Sequence, residues 1–349
     1  MRAIGGIVVC AILALLSAVR PAAAADETLN LVGGTTAAGF FEVLEYVAQY
    51  AGYYQDEHLT VTTEFAGAGA ACLQLVASGK GDVCSSSIEP LIQGYERGLR
   101  LQMFFDRDPQ FDWVIGVLDS SPIKTLADFK GKDIGEISAG SAGEAAADSM
   151  LASAGVHKSD YAYVPIGGGA QGLAAIAQGK VAGAMFPTVE LQMDEALGNV
   201  NFRLFRHPIL KDVATSGFVA APATIATKAE ALRRFCRAIV KAAIFVRVNP
   251  QVAARYFLQG AGLRVTDASV AEETRALQLS QGDLPAADLA NPRLGYVQPL
   301  GITVYSQFLF DRGKVSAIVP ASALVTNQFV AYANDFDRKA FIAHVKTIR

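Results

Sequence analysis

The segment at residues 67–80 (GAGAACLQLVASGK) is repeated at residues 167–180 (GGGAQGLAAIAQGK), 100 positions further along the chain. Each copy opens on glycines, continues with apolar residues at helical spacing and closes on a Gly-Lys pair. An extended stretch precedes each copy and another follows it. The repeat therefore predicts two strand–helix–strand units with matched glycine turns, in two similar lobes that face each other across a ligand site. Chance similarity between two Ala/Gly-rich stretches is the alternative.

Residues 1–25 have the pattern of a cleavable export signal. Arg2 gives a basic start, an apolar run covers residues 4–18, and small residues (Ala23–Ala25) precede Asp26. The apolar run is too short and wrongly flanked for a membrane anchor. We therefore expect a mature chain that begins near Asp26, is exported and is not embedded in the membrane.

Composition limits the possible partners, the number of domains and the state of the cysteines. The net charge is only −3 and no basic run alternates with aromatic residues, which argues against a nucleic-acid partner. The chain of 349 residues is long enough for two domains. Cys72, Cys84 and Cys236 remain after the leader, and an exported protein can form disulfides. Cys72 and Cys84 are expected close together, either bridged or as two buried thiols.

Strand and helix patterns alternate up to about residue 220, and the pattern is helical from there to the end. This order predicts an α/β fold in which each lobe is a mostly parallel sheet flanked by helices. Extended segments near 111–118 and 215–221 predict two crossovers. Lobe one then comprises residues 26–112 and 217–349, lobe two comprises 113–216, and residues 321–334 form one of the C-terminal helices.

Several motifs resemble those of one known family. They are KTLADFKGKDIG at 124–135, EHLTV at 57–61, SGKGD at 78–82 and NPQVAA at 249–254. Their order and spacing are similar to those of periplasmic solute-binding proteins of ABC importers, in the group that binds sulfonates, taurine, nitrate or thiamine-type pyrimidines. Two positions depart from the family pattern: His58 replaces a usual Gly and Gly183 a frequent Asp.

The resemblance implies the type II periplasmic binding fold and a monomer in the periplasm. It also implies capture of a small organic solute, sulfonate-like or pyrimidine/aromatic, and delivery to a permease with its ATPase. Two alternatives remain open on the same fold: an exported sensor, and an enzyme of the pyrimidine-precursor type. We expect no enzyme activity and no cofactor.

Candidate ligand-binding residues follow from the architecture, because open α/β sheets bind ligands beyond the carboxyl ends of their strands, at helix N-termini. The candidates in lobe one are Thr35, Thr36, Phe40, Gly67, Ala68, Gly69, Ser86 and Ser87. Those at the crossover and in lobe two are Trp113, Ser138, Ser141, Gly168, Gly169, Phe186 and Glu190. For each turn the alternative is an ordinary helix start, and for each aromatic residue it is core packing.

Two acidic residues make the second lobe less suited to an anion. Ser141 and Glu144 have the spacing of a capping box, which would use up backbone donors and add a negative charge. Glu190 either faces the cleft, where it would accept from ligand amino groups as the resemblance implies, or is a solvated first-turn residue.

Enzyme and metal motifs are weak. The four histidines lack zinc-ligand spacing, so no metal site is expected. Gly167, Gly169 and Gly172 match a dinucleotide fingerprint, but the equivalent position in the first copy is Cys72 and an exported chain is a poor host for nicotinamide cofactors.

Overall fold

The computed structural model describes residues 26–35, 38, 42–108, 111–137, 141, 143–198, 200–210, 213, 216–281, 289 and 291–349. The predicted signal segment, residues 1–25, lies outside this range. No helix in the described part of the chain is long and apolar enough to cross a membrane.

Ten strands form the two sheets: β1 Glu27–Gly33, β2 Leu59–Phe65, β3 Val83–Ser87, β4 Gln102–Asp108, β5 Trp113–Leu118, β6 Ile134–Glu136, β7 Tyr163–Pro165, β8 Gly183–Pro187, β9 Phe202–Arg206 and β10 Ser216–Ala220. The first seven helices surround them: α1 Val43–Tyr50, α2 Tyr53–Asp56, α3 Gly69–Ala77, α4 Ile88–Glu96, α5 Glu144–Ser153, α6 Gly169–Ala177 and α7 Thr188–Gly198. The C-terminal helices are α8 Pro222–Thr227, α9 Ala229–Val248, α10 Pro250–Gly260, α11 Asp267–Gln281, α12 Pro299–Asp311, α13 Ala321–Leu324, α14 Val330–Asn334 and α15 Arg338–Val345.

The strands form two five-stranded mixed sheets, and the predicted α/β class is confirmed. The first sheet has the order β2-β1-β3-β10-β4 and the second the order β7-β6-β8-β5-β9. The antiparallel strand of each sheet, β10 or β5, is the one by which the chain enters from the other sheet. Both strands begin at the carboxyl edge of the sheet they join, so they must run opposite to their neighbours.

The repeat found in the sequence is also a structural repeat. Helices α3 and α6, and strands β3 and β8, begin and end at positions that differ by 100 residues. Gly79 and Gly179 have positive φ (75° and 70°) and end the two helices as expected. The amide of Lys80 reaches back to the Leu75 carbonyl at 2.9 Å, and the second copy makes the corresponding bond at 3.0 Å.

Hydrophobic packing joins the two sheets. One face of the first sheet packs against α9 and its neighbours, and one face of the second packs in a smaller cluster with α6. The largest cluster runs from α3 and α4 through α12 to α5, and it includes Phe111, Trp113, Tyr305 and Phe308. The crossover region is therefore part of one continuous core.

The C-terminal helices pack largely on the first sheet, although α11 also contacts α7 and α12 reaches α5. The prediction of one helix over residues 321–334 is wrong. The helix stops at Leu324 because Val325 forms a parallel bridge to Met103 of β4. The Thr326 amide donates to the Met103 carbonyl at 3.0 Å, and α14 starts only at Val330.

Candidate functional site

The first rim of the candidate site is the carboxyl edge of β1, β2 and β3. The Gly34 amide donates to the Ser85 carbonyl at 3.1 Å, and the Gly67 amide donates to the Thr35 carbonyl at 2.8 Å. A Cβ on Gly34 would lie 2.8 Å from the Ser85 carbonyl oxygen, so only glycine fits this turn. Ser86 is buried beside these turns. The rim therefore brings together Thr35 and the predicted Gly67 turn.

A disulfide lies directly beneath this rim. Cys72 in the first turn of α3 is bonded to Cys84 in β3, with a Cα–Cα distance of 5.7 Å, and both residues are fully buried. Cys84 precedes Ser85, so the bond holds the start of α3 against the end of β3. The third cysteine of the described residues, Cys236, is a buried free thiol.

A buried charge pair supports the first rim and was missed by the sequence analysis. The Arg107 guanidinium lies 3.3 Å from the Glu45 carboxylate and also donates to the Ser85 hydroxyl. Both charged side chains are at most 6% exposed, and the guanidinium lies 5.3 Å from the Phe218 ring centroid. Glu45 therefore neutralises the positive charge nearest this edge. The sequence feature that could have indicated this pair is the charged triplet Asp106–Asp108 at the end of an otherwise apolar strand.

The second rim lies at the start of α6. The Glu190 carboxylate accepts a hydrogen bond from the Gly169 amide. A Cβ on Gly168 would lie 2.8 Å from Glu190 Oε1. An N-terminal amide of α6, which could bind an anion, is thus already occupied by a carboxylate of the chain. Glu190 faces the predicted glycine turn rather than bulk solvent.

A second carboxylate lies one helical turn further along α7. Asp194 is 1% exposed, and its carboxylate oxygens have no hydrogen-bond partner among the described residues. Burial, and next the charge of Glu190, raise the pKa of Asp194 to about 7. Ionising a buried carboxyl group that has no partner costs free energy, so the contribution of Asp194 to the stability of the folded state depends on pH.

A second acidic pair lies where β6 ends and α5 begins. Glu136 is 2% exposed, and its carboxyl group interacts with that of Glu144. The Ser141 amide donates to Glu136 Oε2 at 3.4 Å. Burial and the neighbouring Glu144 raise the pKa of Glu136 to about 7.

This arrangement corrects the expected capping box. Helix α5 begins at Glu144 with Gly143 as its N-cap residue, so Ser141 lies before the cap position that the box requires. Glu136, which the sequence analysis did not single out, contacts both of the other residues. A lone acidic residue closing a short strand is too weak a signal to have shown this.

The predicted aromatic residues have different roles. Trp113 opens β5, is 7% exposed, and packs so tightly on α5 that a Cβ on Gly143 would lie 2.7 Å from its ring. Phe186 is fully buried, and its ring packs against Gly172 of α6. Phe186 is therefore a core residue, and the prediction that it faces the cleft is wrong. An apolar ring in a central strand is stabilised most by full burial.

Three predicted residues, Thr36, Phe40 and Ser138, lie outside the described range. The others lie at the two carboxyl edges: Ser87 ends β3, Ala68 is the exposed N-cap residue of α3, and Gly168 is the N-cap residue of α6. The described residues include no group of three or more His, Cys, Asp or Glu side chains that could hold a metal ion.

The first crossover is fixed to the second sheet by contacts that the sequence did not reveal. The Asp112 carbonyl accepts from both the amide (2.9 Å) and the hydroxyl (2.8 Å) of Thr188. The Arg206 guanidinium donates to the same hydroxyl at 3.0 Å. These bonds join residues up to 76 positions apart in the sequence, and they position the chain as it passes between the sheets.

Two cavities lie away from these rims. One of about 200 Å³ is a groove between α3 and α4, near Ala71 and Pro90. The other, of about 430 Å³, lies by the amino ends of β6 and β8 and is lined by Lys132, Lys180 and Ser121 among others. Neither cavity includes the buried carboxyl groups described above, so we do not assign the ligand site to them.

Comparison with solved structures shows that the chain has the fold of periplasmic binding proteins. The alkanesulfonate-binding protein SsuA from Xanthomonas axonopodis pv. citri, solved bound to MOPS, superposes with a TM-score of 0.63 and 17% identity over 87% of this chain and 99% of that one. The periplasmic aliphatic sulphonate binding protein SsuA from Escherichia coli gives a TM-score of 0.63 and 18% identity over 86% and 92%. At these identities the likeness establishes the fold.

The family follows from the sequence itself. The family model described as NMT1/THI5 like matches residues 43–253, more than half of the chain, which therefore belongs to that family. This confirms the resemblance found in the motifs. An enzyme also shares the fold: desulfurization enzyme DszB in complex with biphenyl-2-sulfinic acid has a TM-score of 0.56 and 14% identity over 88% and 98%. No curated protein matches the chain in the sequence comparison.

Proposed function

We propose that the chain is the exported substrate-binding component of an ABC importer, which captures a small organic solute between its two sheets and delivers it to a permease. The observation that carries the proposal is the pair of matched rims. Two helices of the same length, α3 and α6, begin at the carboxyl edges of two sheets that the chain joins at those same edges. This is where open α/β sheets bind ligands.

The proposed lobe boundaries follow the sheets to within one residue, since Ser216 is already the first residue of β10 in the first sheet. Lobe two comprises residues 113–216, and lobe one comprises residues 26–112 and 217–349. A solute that contacts both lobes favours the closed arrangement, because only contacts that differ between the open and closed states shift that equilibrium. The leader at residues 1–25 would direct export to the periplasm. We expect the mature chain to act there as a monomer.

Binding without covalent chemistry is supported by the state of the thiols and of the buried histidine. Among the described residues the three cysteines are either bridged or buried, and His207 is buried among α5, α12 and the second crossover. An enzyme on the same fold is the second candidate, since DszB shares the architecture. A sensor role is the third, and an adjacent permease and ATPase gene pair would favour the importer over it.

A thermal-shift screen tests the proposal. The chain beginning at Asp26 is heated with sulfonates, nitrate, aromatic carboxylates and pyrimidines related to thiamine precursors, and hits are measured by calorimetry. A ligand present at about 100 times its Kd stabilises the folded state by about 2.7 kcal/mol. Stabilisation by a compound that is recovered unchanged supports a binding protein. Conversion of the compound during incubation would instead establish the enzyme alternative.

A further inference from the structure

The two sheets can be compared strand by strand, because their orders place equivalent strands at equivalent positions. The Asp82 amide donates to the Asn30 carbonyl at 2.9 Å, and the Ala182 amide donates to the Asp133 carbonyl at the same distance. Asp82 and Ala182 are therefore equivalent, and so are Asn30 and Asp133. All four lie at the amino edges of the sheets, opposite the carboxyl edges that carry the glycine turns.

In the first sheet, groups of the chain pair with one another at this amino edge. The Asp82 carboxylate accepts from the Asn30 amide at 2.9 Å and from the Lys228 ammonium group at 2.8 Å. The ammonium group also donates to the Thr28 carbonyl at 3.2 Å. Lys228 follows α8, the helix that the chain forms after it leaves β10. A carboxylate and a cation of the chain therefore occupy the edge together.

In the second sheet, the same edge borders the cavity of about 430 Å³. Ala182 stands where the first sheet has Asp82 and lines the cavity, so the carboxylate is missing. The chain that leaves β5, the strand equivalent to β10, forms one wall at residues 118–123. Arg203 of β9 holds this wall by donating to the Ile123 carbonyl at 2.8 Å. Small-molecule sites typically measure roughly 300–1,000 Å³, so the cavity has the size of a ligand site.

The charge in the cavity lining is mainly positive. Lys132 and Lys180 both line it, both are exposed, and neither forms an ion pair with an acidic residue in the described part of the chain. Asp133 is the one acidic residue in the lining. Asp119, in the wall nearby, pairs with Arg203 at 3.6 Å. Two ammonium groups therefore face the cavity against one carboxylate.

The rest of the lining is apolar, with a hydroxyl group at one side. Ile123, Ile176 and Val181 are buried and line the cavity. The Ser121 hydroxyl oxygen accepts from the Ile123 amide at 3.2 Å, which leaves its proton available for a ligand. Apolar walls with a few polar groups are typical of sites for small organic molecules.

The carbonyl end of α6 also lies at the cavity. The Ala175 and Ile176 carbonyls accept from the Lys180 and Gly179 amides, both at 3.0 Å. These bonds satisfy carbonyl groups that would otherwise repel a negative charge. An anion in the cavity is therefore expected to bind the lysine side chains rather than the helix end.

We propose that this cavity is a second binding site, separate from the cleft, for a small organic anion with an apolar body. The carboxylate of the ligand would take the place that the Asp82 side chain has in the first sheet. Lys132 and Lys180 would donate to it, as would the Ser121 hydroxyl, and the apolar body would pack on the isoleucines. A cation of the same shape would be repelled by the two ammonium groups. The site does not depend on which solute binds in the cleft.

Methyl NMR on the chain beginning at Asp26, with labelled isoleucines, locates the binding directly. Benzoate is the probe, and benzamide is its neutral control of nearly the same shape. We expect benzoate to shift the Ile123 and Ile176 methyl signals in a saturable way, and to leave that of Ile239, buried in α9, unchanged. Benzamide should bind about tenfold more weakly, because charged hydrogen bonds are stronger than neutral ones.

Matched variants identify the groups that bind the anion. Lys180→Gln should weaken benzoate binding about tenfold, because it removes a charged donor. Lys80→Gln is the control, since Lys80 is the exposed equivalent in the first copy of the repeat and should leave binding unchanged. Ala182→Asp supplies the carboxylate that the first sheet has, and should also weaken benzoate binding because this carboxylate competes for the ammonium groups. Ala68→Val, at the glycine rim of the cleft, should have no effect on the Ile123 and Ile176 shifts.

The opposite results would overturn the proposal. Equal binding of benzamide and benzoate would mean that the cavity is an apolar pocket without preference for an anion. Unchanged benzoate binding in Lys180→Gln, with loss of binding in Ala68→Val, would place benzoate in the cleft and leave the importer function standing. No shift of the Ile123 and Ile176 signals with benzoate in large excess would show that the cavity is not a ligand site. Lys180→Gln changes an exposed side chain and is expected to fold, so the test holds even if Ala182→Asp does not fold.

Discussion

The Arg312 guanidinium, which follows the last residue of α12, donates a hydrogen bond to the Ser149 hydroxyl in α5. The same hydroxyl lies 3.1 Å from Nε2 of His207, at the start of the second crossover. The His207 Nδ1 accepts from the Ile209 and Leu210 amides at 3.2 and 3.3 Å, so Nε2 carries the proton of the neutral ring. One hydroxyl therefore joins a C-terminal helix, the second sheet's helix layer and the crossover.

The first prediction is that Arg312→Ala raises the pKa of His207. Burial and next the positive charge of Arg312 lower it to about 4. Removal of the charge should move it towards the ordinary 6.5, although burial will keep it lower. Because the folded pKa lies below the unfolded one, wild-type stability declines as pH falls from 6.5 towards 4, and the variant should show a smaller decline from this residue. An NMR titration of the His207 ring measures this directly. An unchanged pKa in Arg312→Ala, or an equal shift in the exposed control Arg255→Ala, would contradict the assignment.

The second prediction concerns Asp194. Its folded pKa of about 7 is far above the ordinary 3.8, so the folded state binds the extra proton and loses stability as pH rises between these values. Asp194→Asn cannot ionise. Relative to the wild type, the free energy of unfolding of Asp194→Asn should be higher by about 1 kcal/mol or more at pH 8 and little changed at pH 4.

Urea denaturation at both pH values measures the difference. Asp133→Asn is the matched control, because the Asp133 side chain is exposed in a loop of the same sheet. A stability difference that stays constant between pH 4 and pH 8 would show that Asp194 is not a buried ionising group.

Local patterns account for what the sequence predicted well. The glycine turns, the helical spacing and the closing Gly79 and Gly179 are encoded within fourteen residues of each copy, so helix limits could be read directly. The crossovers followed from the order of extended segments. The break at Val325 could not be read, because it depends on a bridge to Met103, more than 200 positions earlier.

The electrostatics of the site were less predictable for the same reason. Glu136 meets Glu144 across a loop, Arg107 reaches Glu45 on another element, and Arg312 reaches Ser149 from the far end of the chain. Each residue looks ordinary in its own segment. Whether a carboxyl group finds a cation, another carboxyl group or no partner is decided only when distant segments pack together.

The third prediction is that the Cys72–Cys84 bond contributes measurably to stability. It closes a loop with a sequence separation of 12, for which chain entropy predicts about 3 kcal/mol. Reduction, or the double change Cys72→Ser with Cys84→Ser, should lower the melting temperature. Thiol counting on the unfolded, unreduced chain from Asp26 onward should give one reactive thiol, Cys236, and none in Cys236→Ser. Three reactive thiols would show that the bridge is absent in solution.

The last prediction places affinity at the glycine rim of the first sheet. Ala68 is exposed and extended (φ −161°, ψ 152°), so valine fits its backbone without strain. Ala68→Val should project methyl groups into the cleft and lower affinity for the tightest ligand of the screen at least tenfold, which requires about 1.4 kcal/mol. The melting temperature without ligand should hardly change.

Ala71→Val is the control, because Ala71 is an exposed residue of α3 that lines the outer groove with α4. Valine costs a few tenths of a kcal/mol in a helix, so Ala71→Val should lower stability slightly and leave affinity unchanged. Equal affinities of Ala68→Val and wild type would mean that the α3 turn does not touch the ligand and that the repeat serves folding alone.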